Sequence, residues 1–204
     1  GLAALHQQEA LVRDDGHDWQ KVVLTGGADS WVQNIATTSN GFVMARSMFR
    51  SGMQLLSSPD GRSWSPLANV PAVDSVSVSG DRIIGTNSAS STVYVSHDAG
   101  ANWVSVPDID GLVPGTDPVQ PGGTVVSAGP LGYAAIVRTG GPVSAAPAAG
   151  ANTTPKTLAP DVAQAAEHEY LLHSGDGVTW KVTDLAAKGA PSDASVSTVD
   201  VGAD

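Results

Sequence analysis

The sequence predicts an all-β chain assembled from a recurring strand-and-turn unit. Three observations carry that expectation. The 204 residues include 23 Gly and 13 Pro, with 41% hydrophobic and only 15% charged residues, a mixture of turn formers and short apolar runs. Four of the five tryptophans follow the same kind of turn: Arg13-Asp14-Asp15-Gly16-His17-Asp18-Trp19, Ser58-Pro59-Asp60-Gly61-Arg62-Ser63-Trp64, Ser96-His97-Asp98-Ala99-Gly100-Ala101-Asn102-Trp103 and Ser174-Gly175-Asp176-Gly177-Val178-Thr179-Trp180. Around these turns the order strand, Gly turn, strand, loop, strand, Asp turn, strand repeats.

The turn chemistry explains the residue types. An Asp carboxylate reaches back to backbone N–H groups, and Gly supplies a positive φ. The apolar residues before each turn and the Trp after it form two strands, with the indole as an apolar plug beneath the turn. These aspartates therefore read as turn staples rather than acids or metal ligands. Charge and composition exclude other classes. Ten basic against twenty acidic residues give a net charge of −10, which repels a phosphate backbone and disfavours nucleic acid. With no Cys, thiol nucleophiles and disulfides are absent. No apolar run approaches the ~18 residues of a membrane span.

The tryptophan segments resemble the Asp-box, or BNR repeat, with the pattern Ser-x-Asp-x-Gly-x-Thr-Trp. Segment 96–103 has that spacing, segments 58–64 and 174–180 are one residue shorter, and the segment at 13 lacks the leading Ser. The structural set is Asp15 and Trp19; Ser58, Asp60, Gly61 and Trp64; Ser96, Asp98, Gly100 and Trp103; and Ser174, Asp176, Gly177 and Trp180. Asp-box proteins, the sialidase-like superfamily among them, are β-propellers with many unrelated activities. The resemblance implies a β-propeller of four-stranded antiparallel blades, in which the Asp-box joins the third and fourth strands.

The elements follow in order. Residues 9–24 read as the last two strands of a partial blade. Blades are expected at about 31–70, 73–107 and 123–185, and 195–204 begins a further one. Asn40-Gly41, Gly80-Asp81 and Leu131-Gly132 are the first turn of each blade. Residues 140–166, rich in Gly, Ala and Pro, read as a flexible insertion. A ring takes about four to eight blades, so the chain reads as one propeller domain or, preferentially, as part of a larger one. Four-blade closure lacks a second strand in the last blade. An open propeller exposes edge strands, so a second chain or the remainder of the propeller is the expected partner.

Short turns fall at one end of such blades and long loops at the other, and function concentrates in long loops. The favoured function is a glycan- or protein-binding scaffold module acting through the loops at 25–31, 46–53, 104–123 and 140–166, with Trp31 and Phe49 as aromatic contacts. The alternative is a hydrolase, sialidase-like or processed into two chains, with part of its site outside this sequence. The resemblance implies arginines for a substrate carboxylate and a Tyr nucleophile beside Glu; the candidates are Arg46, Arg50, Arg138, Tyr133, Tyr170 and Glu169, with Glu167 nearby. Asp81-Arg82-Ile83-Ile84 only faintly echoes the sialidase Arg-Ile-Pro motif and falls at the short-turn end. His6, His17, His97, His168 and His173 are scattered. His168 and His173 point to opposite faces of a strand, and Asp108-Ile109-Asp110-Gly111 has too few acids for a calcium loop. No cofactor and no metal are expected. The Ala/Gly/Pro/Thr-rich, lysine-poor composition suggests an extracellular or cell-envelope protein of a bacterium.

Overall fold

The computed structural model describes residues 2–6, 9–13, 18–23, 30–48, 52–114, 124–140, 168–190 and 201. They form antiparallel sheets that follow one another in chain order. Sheet one holds β1 (Leu2–His6), β2 (Glu9–Val12) and β3 (Gln20–Val23). Sheet two holds β4 (Ser30–Thr38), β5 (Gly41–Met48), β6 (Gly52–Ser58) and β7 (Ser65–Pro66). Sheet three holds β8 (Ser75–Ser79), β9 (Arg82–Asn87), β10 (Thr92–Ser96) and β11 (Val104–Val106). Sheet four holds β12 (Val125–Gly129), β13 (Gly132–Thr139), β14 (His168–Ser174) and β15 (Lys181–Asp184). Each sheet is an up-and-down meander with strands in sequence order.

The expected strands of sheets two to four are all present. Sheet one departs from expectation, because β1 pairs with β2 ahead of the two strands anticipated at 9–24. The stretch Leu2-Ala3-Ala4-Leu5-His6 is apolar but carries neither a Gly turn nor a Trp, so the repeat pattern gave no reason to expect it. It makes sheet one three-stranded, with β1 at its edge. Residues 141–167, which include nearly all of the expected insertion, and the expected strand at 195–200 lie outside the described residues.

Successive sheets pack face to face, which is why the middle strands read as nearly unbroken apolar runs. Neighbouring residues on a strand project to opposite faces. On β9, Ile83 joins a core shared with sheet two, and Ile84 joins a core shared with sheet four. On β5, Val43 and Ala45 face sheet three, whereas Met44 packs with Leu56, Val32, Ile35 and Trp64 on the other side. The largest core lies between sheets three and four. It gathers Val93, Val95, Val126, Tyr133, Ala135, Val137, Tyr170 and Leu172, with Ile109 and Val113 from the segment after β11. Each fully buried side chain of the larger type contributes about 1.5–3 kcal/mol. The first strands lie side by side along the stack: β4 neighbours β1 and β8, and β8 neighbours β12.

Close approach between neighbouring strands of one sheet explains two glycines. Gly41 and Gly132 open the second strands of sheets two and four at φ of 119° and 138°. A Cβ there would stand 2.3 Å from the Ser58 carbonyl oxygen and 2.2 Å from that of Ser174.

Candidate functional site

Three Ser–Asp–Gly–Trp turns line one end of sheets two, three and four and share one hydrogen-bond plan. The Ser hydroxyl donates to the Asp carboxylate, at 3.2 Å for Ser58–Asp60, 2.8 Å for Ser96–Asp98 and 3.0 Å for Ser174–Asp176. The same carboxylate oxygen accepts backbone N–H groups further on: Arg62 and Ser63 for Asp60, Asn102 for Asp98, and Val178 and Thr179 for Asp176. Ser58 and Ser96 also accept from the N–H of Gly61 and Gly100. Trp64 and Trp103 donate their indole N–H to the Gly61 and Gly100 carbonyls at 2.9 and 3.0 Å. Trp180 breaks the pattern, since its indole nitrogen is buried without a hydrogen bond.

These contacts hold all three carboxylates below the usual range. For Asp60 the backbone N–H of Ser63 is the largest cause, followed by that of Arg62. For Asp98 it is the Asn102 side chain and then its backbone N–H. For Asp176 it is the backbone N–H of Thr179 and then Val178. Donors aimed at a carboxylate favour its charged form, so these groups are structural anions. The turn at 13–19 is different. Asp15 lies outside the described residues, and Trp19 is 44% exposed with the Arg13 guanidinium over its ring at 5.0 Å.

Polar links join adjacent sheets at this same end. Arg62 donates to the Gln20 side chain, from sheet two to sheet one. The Ser39 N–H donates to Asp81 at 2.7 Å, between sheets two and three. Between sheets three and four stands His97. Its Nε2 lies 2.9 Å from the Asp176 carbonyl, and its Nδ1 lies 2.9 Å from the Tyr133 hydroxyl. Tyr133 is fully buried, donates to the Ser96 carbonyl at 2.6 Å, and packs edge-on against the imidazole. Burial pushes the Tyr133 hydroxyl up to about 12, so it is a neutral donor and not a phenolate.

The candidate catalytic residues are distributed rather than gathered. Arg46 is buried on β5 and donates to Gln54; desolvation lowers its pKa. Arg138 and Glu169 sit opposite each other on β13 and β14 and form an ion pair at 2.6 Å. Tyr170 is next to Glu169 on the strand and therefore faces the other way, into the core, where its hydroxyl donates to the Pro114 carbonyl. Tyr133 stands at the far end of β13 from Arg138. Among the described residues these side chains form no Arg–Tyr–Glu cluster. Arg50, Phe49, His17 and Glu167 lie outside the described residues. Trp31 is 43% exposed at the start of β4, at the end opposite the Asp turns.

The described histidines and acids make no metal site. His168 stacks on Tyr170 on one face of β14, and His173 projects to the other. The Asp108 carboxylate accepts the Gly111 N–H and closes its own turn. No helix among the described residues is long and apolar enough to cross a membrane. No protein-family model matches the chain, and no curated protein matches it.

Sequence reading, which took His97 as one of five scattered histidines, missed its role. It is exposed, yet it bridges two sheets. The available signal was its position, since the residue after the turn Ser is Pro59 in sheet two and Gly175 in sheet four.

Proposed function

We propose that the chain is an Asp-box β-propeller, or part of one, that acts as a non-catalytic scaffold binding a glycan or a protein at its loop end. One observation carries this reading: the described candidate catalytic groups are engaged in the scaffold itself. The three Asp carboxylates staple their own turns. Arg138 is paired with Glu169, and both candidate tyrosines donate to backbone carbonyls. What remains for recognition is the opposite end, where the connections after β5, β11 and β13 leave the strands and Trp31 stands exposed. A rigid stack presenting variable loops is a common design for a binding surface, and an exposed indole suits a sugar ring or a protein hot spot.

The unpaired edge of β1 among the described residues is a template for one more strand, from this chain or from a partner. That is the basis for proposing ring closure or assembly with a second chain. An extracellular or envelope location belongs to the same proposal and rests on composition.

The test compares the intact protein with a variant lacking residues 141–166 on an array of neutral and acidic oligosaccharides, together with turnover of fluorogenic glycosides. The reading expects array binding by the intact chain, its loss in the variant at unchanged melting temperature, and no turnover. Saturable turnover would overturn it in favour of a hydrolase. Equal binding by both proteins would remove the insertion from the surface.

A further inference from the structure

We infer that the cleft between the first turns of sheets three and four, closed on one side by His97, is an oxyanion-binding site, with Arg82 as the principal contact and His97 as the second. It lies at the end opposite the proposed loop surface and is independent of that reading. The cleft is open, has a volume of about 370 Å³, and is lined by Ser79, Gly80, Asp81, Arg82, His97 and Pro130.

The first support is a departure from the repeat. The residue that opens the second strand is Gly41 in sheet two and Gly132 in sheet four, paired with Thr38 and Gly129; in sheet three the residue paired with Ser79 is Arg82. In the sister sheets no side chain fits, because a Cβ would strike the carbonyl of the turn Ser. In sheet three the positive-φ glycine falls earlier, at Gly80, and the freed position carries the longest cationic side chain available. The residue after the turn Ser departs in the same sheet, with His97 replacing Pro59 and Gly175. Two repeat positions that are Gly or Pro in the sister sheets carry Arg82 and His97 here, and both line the same cleft. The comparable cleft between sheets two and three is lined by Thr38, Asn40, Asp98 and apolar or hydroxyl neighbours, with no cationic side chain.

The second support is unmet hydrogen-bonding capacity. The Arg82 Nε is buried and makes no hydrogen bond, although buried donors are otherwise almost always paired. The neighbouring Asp81, whose carboxylate accepts the Ser39 N–H of sheet two, is not bonded to it.

The third support is the fixed position of His97. A carbonyl only accepts, so Nε2 donates to Asp176, and Nδ1 meets the Tyr133 hydroxyl, which holds the ring at the rim of the cleft. A chain of net charge −10 thus places a guanidinium beside an anchored imidazole. A guanidinium fork is suited to carboxylate and phosphate oxygens.

The experiment is nitrogen-edited NMR of the full chain, following the Arg82 Nε–H during titration with sodium phosphate and, separately, sodium acetate, at ionic strength held constant with sodium chloride. A saturable shift at Arg82, half-complete at millimolar anion or lower, is expected. Saturation with phosphate alone assigns a phosphate-type ligand, and saturation with acetate as well assigns a carboxylate. Arg82→Gln should weaken binding at least tenfold. Arg82→Gly, which restores the residue of the sister turns, should do the same and covers the case in which the first variant folds poorly. Arg62→Gln, on the turn of sheet two, should leave binding unchanged. The inference is overturned by shifts that rise without saturation to the same extent at Arg62 and Arg82, or by unchanged binding in both Arg82 variants.

Discussion

Replacing Tyr133 by Phe removes one oxygen from the joint between sheets three and four and leaves the ring in place. Phe is tolerated sterically at this repeat position, because Phe42 occupies it in sheet two: Phe42 pairs with Ser58 as Tyr133 pairs with Ser174. The lost oxygen makes two contacts, a buried donation to the Ser96 carbonyl at 2.6 Å and a contact to His97 Nδ1 at 2.9 Å. A neutral hydrogen bond is worth about 0.5–1.5 kcal/mol net, and two are lost. The expected loss is about 2 kcal/mol, or roughly 4–8 °C in melting temperature for a domain of this size. Urea denaturation at neutral pH measures it, with the slope m unchanged because the fold still exposes the same surface. His97→Ala alone should cost about 1 kcal/mol, and the double variant should cost less than the sum by at least about 0.5 kcal/mol, since the two residues share a bond. A loss below about 0.5 kcal/mol for Tyr133→Phe, or strict additivity with His97→Ala, would refute the joint.

Three further outcomes follow from the turns. Asp60, Asp98 and Asp176 have depressed pKa values, so their contribution is present above the ordinary carboxylate range and is lost as pH falls through the lowered folded values. Melting temperature should be flat near neutrality and fall below about pH 4, and the triple Asp→Asn variant should be less stable at neutrality with a flatter acid limb in thermal melts. Gly41→Ala meets the Ser58 carbonyl at 2.3 Å at a φ of 119°, whereas Gly80→Ala at a φ of 58° meets nothing within 4 Å. The first should cost more than about 3 kcal/mol and the second about 1–2 in chemical denaturation, and equal costs would contradict the close approach. Trp103→Phe should cost more than Trp180→Phe by about 1 kcal/mol, because only Trp103 has a bonded indole N–H; parallel urea curves decide it.

The sheets were legible because each strand must satisfy two local rules at once. A strand between two neighbours needs apolar residues on both faces, and its ends need turn residues with special backbone geometry. Both marks are written in consecutive residues, as in Arg82-Ile83-Ile84-Gly85-Thr86 after Gly80-Asp81. β1 escaped notice because Leu2–His6 carries no such punctuation, and its hairpin with β2 is set by pairing rather than by a turn motif. The candidate site was less legible. Arg138 and Glu169 were singled out as potential catalysts, and their register places them opposite each other as an ion pair. Tyr170 next to Glu169 looked like a dyad in sequence, yet adjacency on a strand sends the two side chains to opposite faces.

The sequence by itself determined the repeat and the chemistry of each Asp turn, because those depend on contacts within a few residues. Only the tertiary structure decided what lies between repeats. The meeting of His97, Tyr133 and the Asp176 carbonyl joins residues 36 to 79 positions apart. The buried Arg82 Nε and the cleft it lines exist only when sheets three and four are packed. Long-range packing fixes which side chains spend their hydrogen bonds on the scaffold and which keep one in reserve, and no local pattern encodes that difference.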